Sequence, residues 1–212
     1  MLKIVIFDVG YGGEVFADRL EEELGIVDVI RVIDWRNAAA ALSGSHQIRQ
    51  VAEAALRPYI GRVDLIFLAN HLLSTTSLRY FRRHYKNQAF LGFEIPVFKT
   101  TRKTLVLTTK ALSKTFSFQY ATSCFKNKET LLLDHWTSKI DDGELTLADI
   151  KQALQSPAEI LVLANSNFSD LKTMFKTAVH QNIKILDSHD SAIRDICKTL
   201  KLRGGIGRRK KS

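Results

Sequence analysis

LIFLAN, residues 65–70, and ILVLAN, residues 160–165, are two apolar runs that end alike, 95 residues apart. Neither run alternates apolar with polar residues. Continuous apolar runs of this length read as strands buried on both faces, the kind found in parallel sheets whose strands are joined by crossover helices.

The flanking sequence repeats the arrangement. Before LIFLAN come strand-like LKIVIFDVG (2–10) and VDVIRVIDW (27–35), and after it QAFLGFEIPV (88–97). Before ILVLAN come KTLVLTTK (103–110) and ETLLLDHW (129–136), and after it IKILDS (183–188). Helix-like segments separate them: GEVFADRLEEELG, closing at Gly25; a segment with Ser45 as a plausible N-cap and a stripe through Ile48, Val51, Ala55 and Leu56; and STTSLRYFRRHYK. In the second half they are ALSKTFSFQYA, LTLADIKQALQ with Thr146 and Asp149 as a capping box, FSDLKTMFKTAVHQ, and a last helix over about 190–201. KIVIFD answers TLVLTT, VIRVIDW answers TLLLDHW, and LIFLAN answers ILVLAN. The expected architecture is α/β, with two pseudo-symmetric lobes, each a mostly parallel sheet flanked by helices, and a cleft between them. Residues 1–97 with 188–203 form the first lobe, 98–187 the second, and 204–212 a basic flexible tail.

In such sheets ligands bind beyond the carboxyl ends of the strands. The residues placed there are Asp8 with the following VGYGG, Asn70–His71, Thr108–Thr109 and Asn165–Ser166–Asn167. Asp34, Asp134 and Asp187 end other strands. Gly10, Gly12 and Gly13 lack dinucleotide-fingerprint spacing, so DVGYGG either offers backbone N–H groups to an anion or serves turn geometry alone. Asn70 and Asn165 bind but do not exchange protons near neutral pH; each also suits a plain strand exit. His71 has an intrinsic pKa close to neutrality, although a lone histidine is commonly structural. No HExxH motif, nucleophile elbow or P-loop occurs.

Cys124 and Cys197 form no metal or redox spacing, which fits a reducing, cytoplasmic setting without disulfides. No signal-peptide pattern or long apolar segment is present, so no membrane association is expected. The net charge of +9 is concentrated: residues 198–212 hold seven cations and no acid, leaving +2 for the rest. Such a tail is commonly solvated, and it can also meet nucleic acid.

The sequence resembles the aspartate/glutamate racemase superfamily, most closely glutamate racemase. That family opens with a strand into Asp-Ser-Gly-x-Gly-Gly, similar to FDVGYGG at 7–13. Its first catalytic strand ends Ala-Cys-Asn-Thr-Ala-Ser, matched here by ANHLLS (69–74), and its second ends Leu-Gly-Cys-Thr-His, matched by LANSN (163–167). Its Thr-x-Ala-Thr stretch resembles TKAL (109–112), and its closing Asp-Ser resembles LDSHDSA (186–192). The likeness covers nearly the whole chain except the tail.

The resemblance implies a cofactor-independent racemase fold in which one cysteine thiolate takes an α-proton and the other returns it on the opposite face. Both cysteine positions are asparagine here, Asn70 and Asn165. Val9 replaces the substrate-binding serine, His71 and Leu72 replace Asn and Thr, and Asn167 replaces His. The family's Pro-Tyr-Gly loop has no match in RNAAAALSG (36–44). Asp8 and Thr109 are retained, and Ser166 replaces threonine.

Three readings follow. The first is a racemase-like protein without the two-thiol mechanism that binds a small carboxylate or amino acid through Asp8, Asn70, His71, Thr109, Asn165, Ser166 and Asn167. The second is an isomerase, lyase or hydrolase using Asp8 and His71. The third is a nucleic-acid-associated protein acting through its tail and the basic helix LRYFRRHYK. No cofactor or metal is expected, and the family's habit suggests a homodimer.

Overall fold

The computed structural model describes residues 1–37, 45–178 and 182–202. The side chain of Ser45 and the tail at 204–212 lie outside the described residues.

In the first lobe, strands β1 (Leu2–Asp8), β2 (Val27–Ile33), β3 (Leu65–Leu68) and β4 (Phe90–Gly92) form a sheet in the order β2-β1-β3-β4. In the second, β5 (Thr100–Thr108), β6 (Phe125–Leu132), β7 (Ile160–Leu163) and β8 (Lys184–Leu186) form a sheet in the order β6-β5-β7-β8. All pairings are parallel. The two orders are the same order written twice, which makes β3 and β7 counterparts.

Both faces of each sheet are covered, which is why the strands read as unbroken apolar runs. Helix α1 (Gly12–Leu24) ends at Gly25, whose φ of 61° makes it a left-handed cap. Helices α2 (Ser45–Leu56) and α3 (His71–His84) follow in the first lobe. The second lobe holds α4 (Lys110–Ser113), α5 (Phe116–Thr122), α6 (Asp134–Asp141), α7 (Leu147–Ala153), α8 (Ser166–Asp170) and α9 (Lys172–Ala178); α10 (His189–Thr199) closes the described chain.

Successive residues of each central strand feed opposite layers. Ile4 and Ile6 pack with Phe16 and Leu20 of α1 and with Ile193 and Ile196 of α10. Val5 and Phe7 pack with Ile48 and Leu56 of α2 and with Phe81 of α3. In the second lobe Leu105 and Leu107 meet Trp136, Ile150, Phe168 and Phe175, while Val106 meets Leu112 and Phe118 on the other face.

The register sharpens the internal match. Phe7 pairs with Leu68 and Leu107 with Leu163. One residue on, Ala69 N donates to Phe7 O at 2.8 Å and Ala164 N to Leu107 O at 2.9 Å. Asn70 and Asn165 are therefore equivalent positions. The same register sets Asp8 against Thr108, one residue away from the match of KIVIFD to TLVLTT, and Ile33 against Leu132. Strands buried on both faces carry no alternation to fix such a match in the sequence.

Several element boundaries also differ from expectation. DHW does not finish a strand: β6 ends at Leu132, and Asp134 opens α6. The segment ALSKTFSFQYA breaks in two, because the Thr115 side chain accepts from Phe118 N at 3.1 Å and starts a new helix. FSDLKTMFKTAVHQ also breaks, at Leu171. Helix α3 begins at His71, three residues before the expected start at Ser74, because Asn70 caps it. The capping box of Thr146 and Asp149 is present.

Candidate functional site

The carboxyl ends of the two sheets face a shared cavity of about 320 Å³. Asp8, Asn70, His71, Thr109, Asn165, Ser166 and Asn167, the residues selected from the sequence, all line it. Four come from the second lobe and three from the first.

Asp8 is 1% exposed. Its Oδ1 accepts from Val9 N at 2.7 Å and from Asn70 Nδ2 at 3.2 Å, and its Oδ2 has no partner among the described residues. Burial pushes its pKa up to about 7, against the opposing pull of N–H donors from Val9, Asn70, Gly13 and Gly10. The glycines after Asp8 are spatial requirements. A Cβ on Gly13 would lie 2.5 Å from Asp8 Cβ, and one on Gly12 would lie 2.8 Å from both Asn167 Oδ1 and Ser166 Cβ. Gly12 thus lets the lobes touch beside the cavity, whereas such a Cβ on Gly10 would meet nothing within 4 Å among the described residues.

Both asparagines cap helices. Asn70 Oδ1 accepts from Leu73 N at 3.1 Å and Asn165 Oδ1 from Asn167 N at 3.0 Å. Thr109 caps α4, with its Oγ1 3.5 Å from Leu112 N. Each strand exit thus serves the fold and also faces the cavity.

His71 corrects one expectation. It is 2% exposed, and neither ring nitrogen has a hydrogen-bond partner among the described residues. Its ring stacks on Phe93 at 5.0 Å, and Phe93 also stacks with His189 at 5.1 Å. Burial, with the neighbouring His189, pushes the His71 pKa down to about 3. A side chain read as titrating near neutrality is held as neutral imidazole, and no hydrogen bond joins it to Asp8.

The sequence reading missed four polar lining residues as site residues: Asp134, Thr137, Ser138 and Asp141. They recur at i, i+3, i+4 and i+7 along α6, while Trp136 and Ile140 bury its other side. That periodicity is legible in DHWTSKID once DHW is read as helix. Asp134 had been noted only as a strand end; its carboxylate accepts from Lys110 N at 3.0 Å. Among the described residues no lysine or arginine lines the cavity, while Asp8, Asp134 and Asp141 do.

Behind the cavity lies a second buried polar group. Asp187 Oδ1 accepts from His189 N at 2.9 Å, and its other oxygen pairs with Lys172. The Asp170 carboxyl has no hydrogen-bond partner among the described residues, and its Oδ1 lies 3.8 Å from His189 Nε2. Burial, then the charges of Asp8 and Asp187, push the Asp170 pKa up to about 9.

Neither cysteine reaches the cavity. Cys124 Sγ donates to Ala121 O at 3.1 Å, and Cys197 packs on the core of the first lobe. Among the described residues no group of three or more His, Cys, Asp or Glu is arranged to hold a metal ion. No helix among them is long and apolar enough to cross a membrane.

No protein-family profile matches the sequence, and no curated protein sequence matches it. Solved structures do match. Glutamate racemase from Campylobacter jejuni subsp. jejuni superposes with a TM-score of 0.79 at 18% identity, covering 100% of this chain and 90% of that one. The Escherichia coli enzyme, in complex with L-glutamate and the activator UDP-MurNAc-Ala, gives 0.78 at 18% identity, covering 96% of this chain and 84% of the other. The Thermus thermophilus enzyme, in complex with β-chloro-D-alanine, gives 0.79 at 18% identity, covering 94% and 80%. At these identities the likeness is one of fold.

Proposed function

We propose that this chain, which has the glutamate racemase fold, binds a small zwitterionic amino acid between its lobes and does not racemise it. The observation that carries this reading is the pair Asn70 and Asn165, equivalent strand ends of the two lobes that both line one cavity, at the positions where the resembling family has its two thiols. An amide cannot serve as the base toward a carbon acid, and losing one general base typically removes about 10²–10⁴-fold in rate.

The lining supports an amino acid over a simple dicarboxylate. Asp8, Asp134 and Asp141 suit an ammonium group, and among the described residues no lysine or arginine lines the cavity to neutralise two carboxylates. A single carboxylate is accommodated by hydroxyl and amide donors and by the starts of α1, α3 and α6 beside the cavity. The volume is that of a small-molecule site. The bound glutamate of the E. coli neighbour is consistent with this ligand class.

One observation favours a second reading. With its pKa pushed up to about 7, Asp8 is able to exchange a proton near neutral pH. An enzyme built on Asp8 alone, acting on a ligand more acidic than an amino acid α-carbon, uses that property. His71, held neutral, does not share the task.

The test is a thermal-shift screen of amino acids and small carboxylates, paired with proton NMR in deuterated water. A stabilising amino acid whose α-proton does not exchange is expected. Exchange of that proton at an enzymatic rate overturns the reading, and proton exchange in a more acidic ligand of the screen, abolished by Asp8→Asn, establishes the second one.

A further inference from the structure

The total charge conceals a strong polarity. Residues 79–128 hold eleven lysines and arginines and one acid, Glu94, a local charge of +10 in a chain whose total is +9. Among the described residues the only ion pair made by any of the eleven is Arg102 with Glu159, at 3.8 Å and exposed.

Four of these cations, Arg79, Lys99, Arg102 and Lys126, lie on segments that adjoin a helix with two exposed rings. Lys99, Arg102 and Lys126 line an open hollow of about 740 Å³ in the second lobe, together with Ser123 and Cys124 and, among the described residues, with no acid. From Ser123 the chain leads directly back into α5, and Ser123 Oγ donates to Tyr120 O at 2.7 Å. On α5, Phe116 and Tyr120 are 80% and 74% exposed and stack on each other at 6.1 Å, 19° from parallel. The helix is tied to the first lobe where Ser117 Oγ donates to Thr75 O at 3.2 Å. One turn beyond Thr75 along α3 stands exposed Arg79, the first residue of the basic run.

We infer that α5, the hollow beside it and the adjoining basic end of α3 form a binding surface for single-stranded nucleic acid, distinct from the cleft lining and from the C-terminal tail. Cations in an acid-free groove track a phosphate backbone and release its counterions. Exposed aromatic faces take up unstacked bases, which a single strand offers. A duplex keeps its bases stacked on one another, out of reach of such rings. An anionic lipid surface would use the charge but has no need for two stacked ring planes.

The experiment is fluorescence anisotropy of a labelled oligothymidylate with the full chain over a series of salt concentrations. Binding is expected, falling steeply with salt and at least tenfold tighter than for a duplex of equal length. Replacing Phe116→Ala and Tyr120→Ala together is expected to cost at least tenfold on the single strand and to leave duplex affinity unchanged. Both rings are exposed, so the variant is expected to keep the wild-type melting profile. Lys99→Gln with Lys126→Gln is expected to lower the slope of log affinity against log salt by about 1 to 2. A full chain with Arg208→Gln, Arg209→Gln, Lys210→Gln and Lys211→Gln is expected to keep the ring-dependent binding.

Absence of binding overturns the inference. So does affinity indifferent to the two rings, binding lost entirely with the tail cations, or capture by phosphatidylserine vesicles in place of the oligonucleotide. An inactive or empty cleft would leave each of these outcomes unchanged.

Discussion

Gly12 of the first lobe and Asn167 of the second approach so closely that a single added carbon at Gly12 would lie 2.8 Å from Asn167 Oδ1. The same carbon would lie 2.8 Å from Ser166 Cβ, and both neighbours belong to the opposite wall of the cavity. Gly12→Ala must therefore push the lobes apart or displace the two side chains. The expected cost is about 1–3 kcal/mol, the usual range for overpacking a filled site. A Cβ on Gly10 would meet nothing within 4 Å among the described residues, so Gly10→Ala is expected to be nearly neutral. Urea unfolding of the two variants side by side checks this, and equal midpoints would remove the role assigned to Gly12.

Asn70 joins cap and site. Its Oδ1 caps the 14-residue helix α3, and its Nδ2 donates to the buried Asp8 carboxylate. Asn70→Ala removes both contacts, with an expected loss of about 1–2 kcal/mol from the cap alone. It should also push the Asp8 pKa further up, since the lost donor favoured the charged form. Asn70→Asp keeps the cap but sets a second carboxylate against Asp8. That variant is expected to be stable below neutral pH and to weaken as pH rises, which a pair of melting curves at pH 5 and pH 8 will read.

The buried ionisable groups set opposing slopes of stability against pH. The folded-state pKa values of Asp8 and Asp170 are raised from 3.8 to about 7 and about 9. Above about pH 4 the unfolded chain releases these protons and the folded chain keeps them, so each group makes stability fall as pH rises toward its folded value. The values for His71 and His189 are lowered from 6.5 to about 3 and about 4. Below pH 6.5 the unfolded chain takes up protons that the folded chain refuses, so each makes stability fall as pH drops. The two effects oppose each other between about pH 4 and 6.5. The expected profile is a plateau there, with losses on both sides. Asp170→Asn should flatten the alkaline side and raise the melting point at pH 8; an unchanged alkaline slope would mean that Asp170 is ionised in the folded protein.

Much of this was legible in the residues. The doubled Ala-Asn endings mark equivalent strand exits, and the polar residues chosen at those exits do line one cavity. The residue-by-residue correspondence of β1 with β5 was not legible, because unbroken apolar strands carry no alternation to fix it; hydrogen bonds such as Ala69 N to Phe7 O and Ala164 N to Leu107 O settle it. The α6 contribution was hidden because DHW follows an apolar run and reads as its continuation. Only the break at Leu133, which is buried and precedes Asp134, turns the chain into a helix with a polar face. The state of His71 was also out of reach, since nothing near it in sequence shows that Phe93 and His189 will enclose it.

That enclosure supplies the last expectation. Phe93 stacks with the rings of both His71 and His189 and also packs edge-on against Phe16 and Phe67. In the wild-type protein the His71 imidazole signals should show no titration midpoint between pH 5 and 8, because burial keeps the ring neutral. Phe93→Ala opens a space beside the ring, at a cost of about 3–5 kcal/mol for a buried phenylalanine. Phe93→Leu keeps most of the volume and is the variant to pair with it. If burial sets the state of His71, the midpoint should move up toward 6.5 in the alanine variant and less in the leucine variant. A midpoint near neutrality already present in the wild type would restore His71 as a proton carrier facing the cavity. It would also reopen an acid–base pair with Asp8, and His71→Ala would then have to lower whatever turnover the cleft supports.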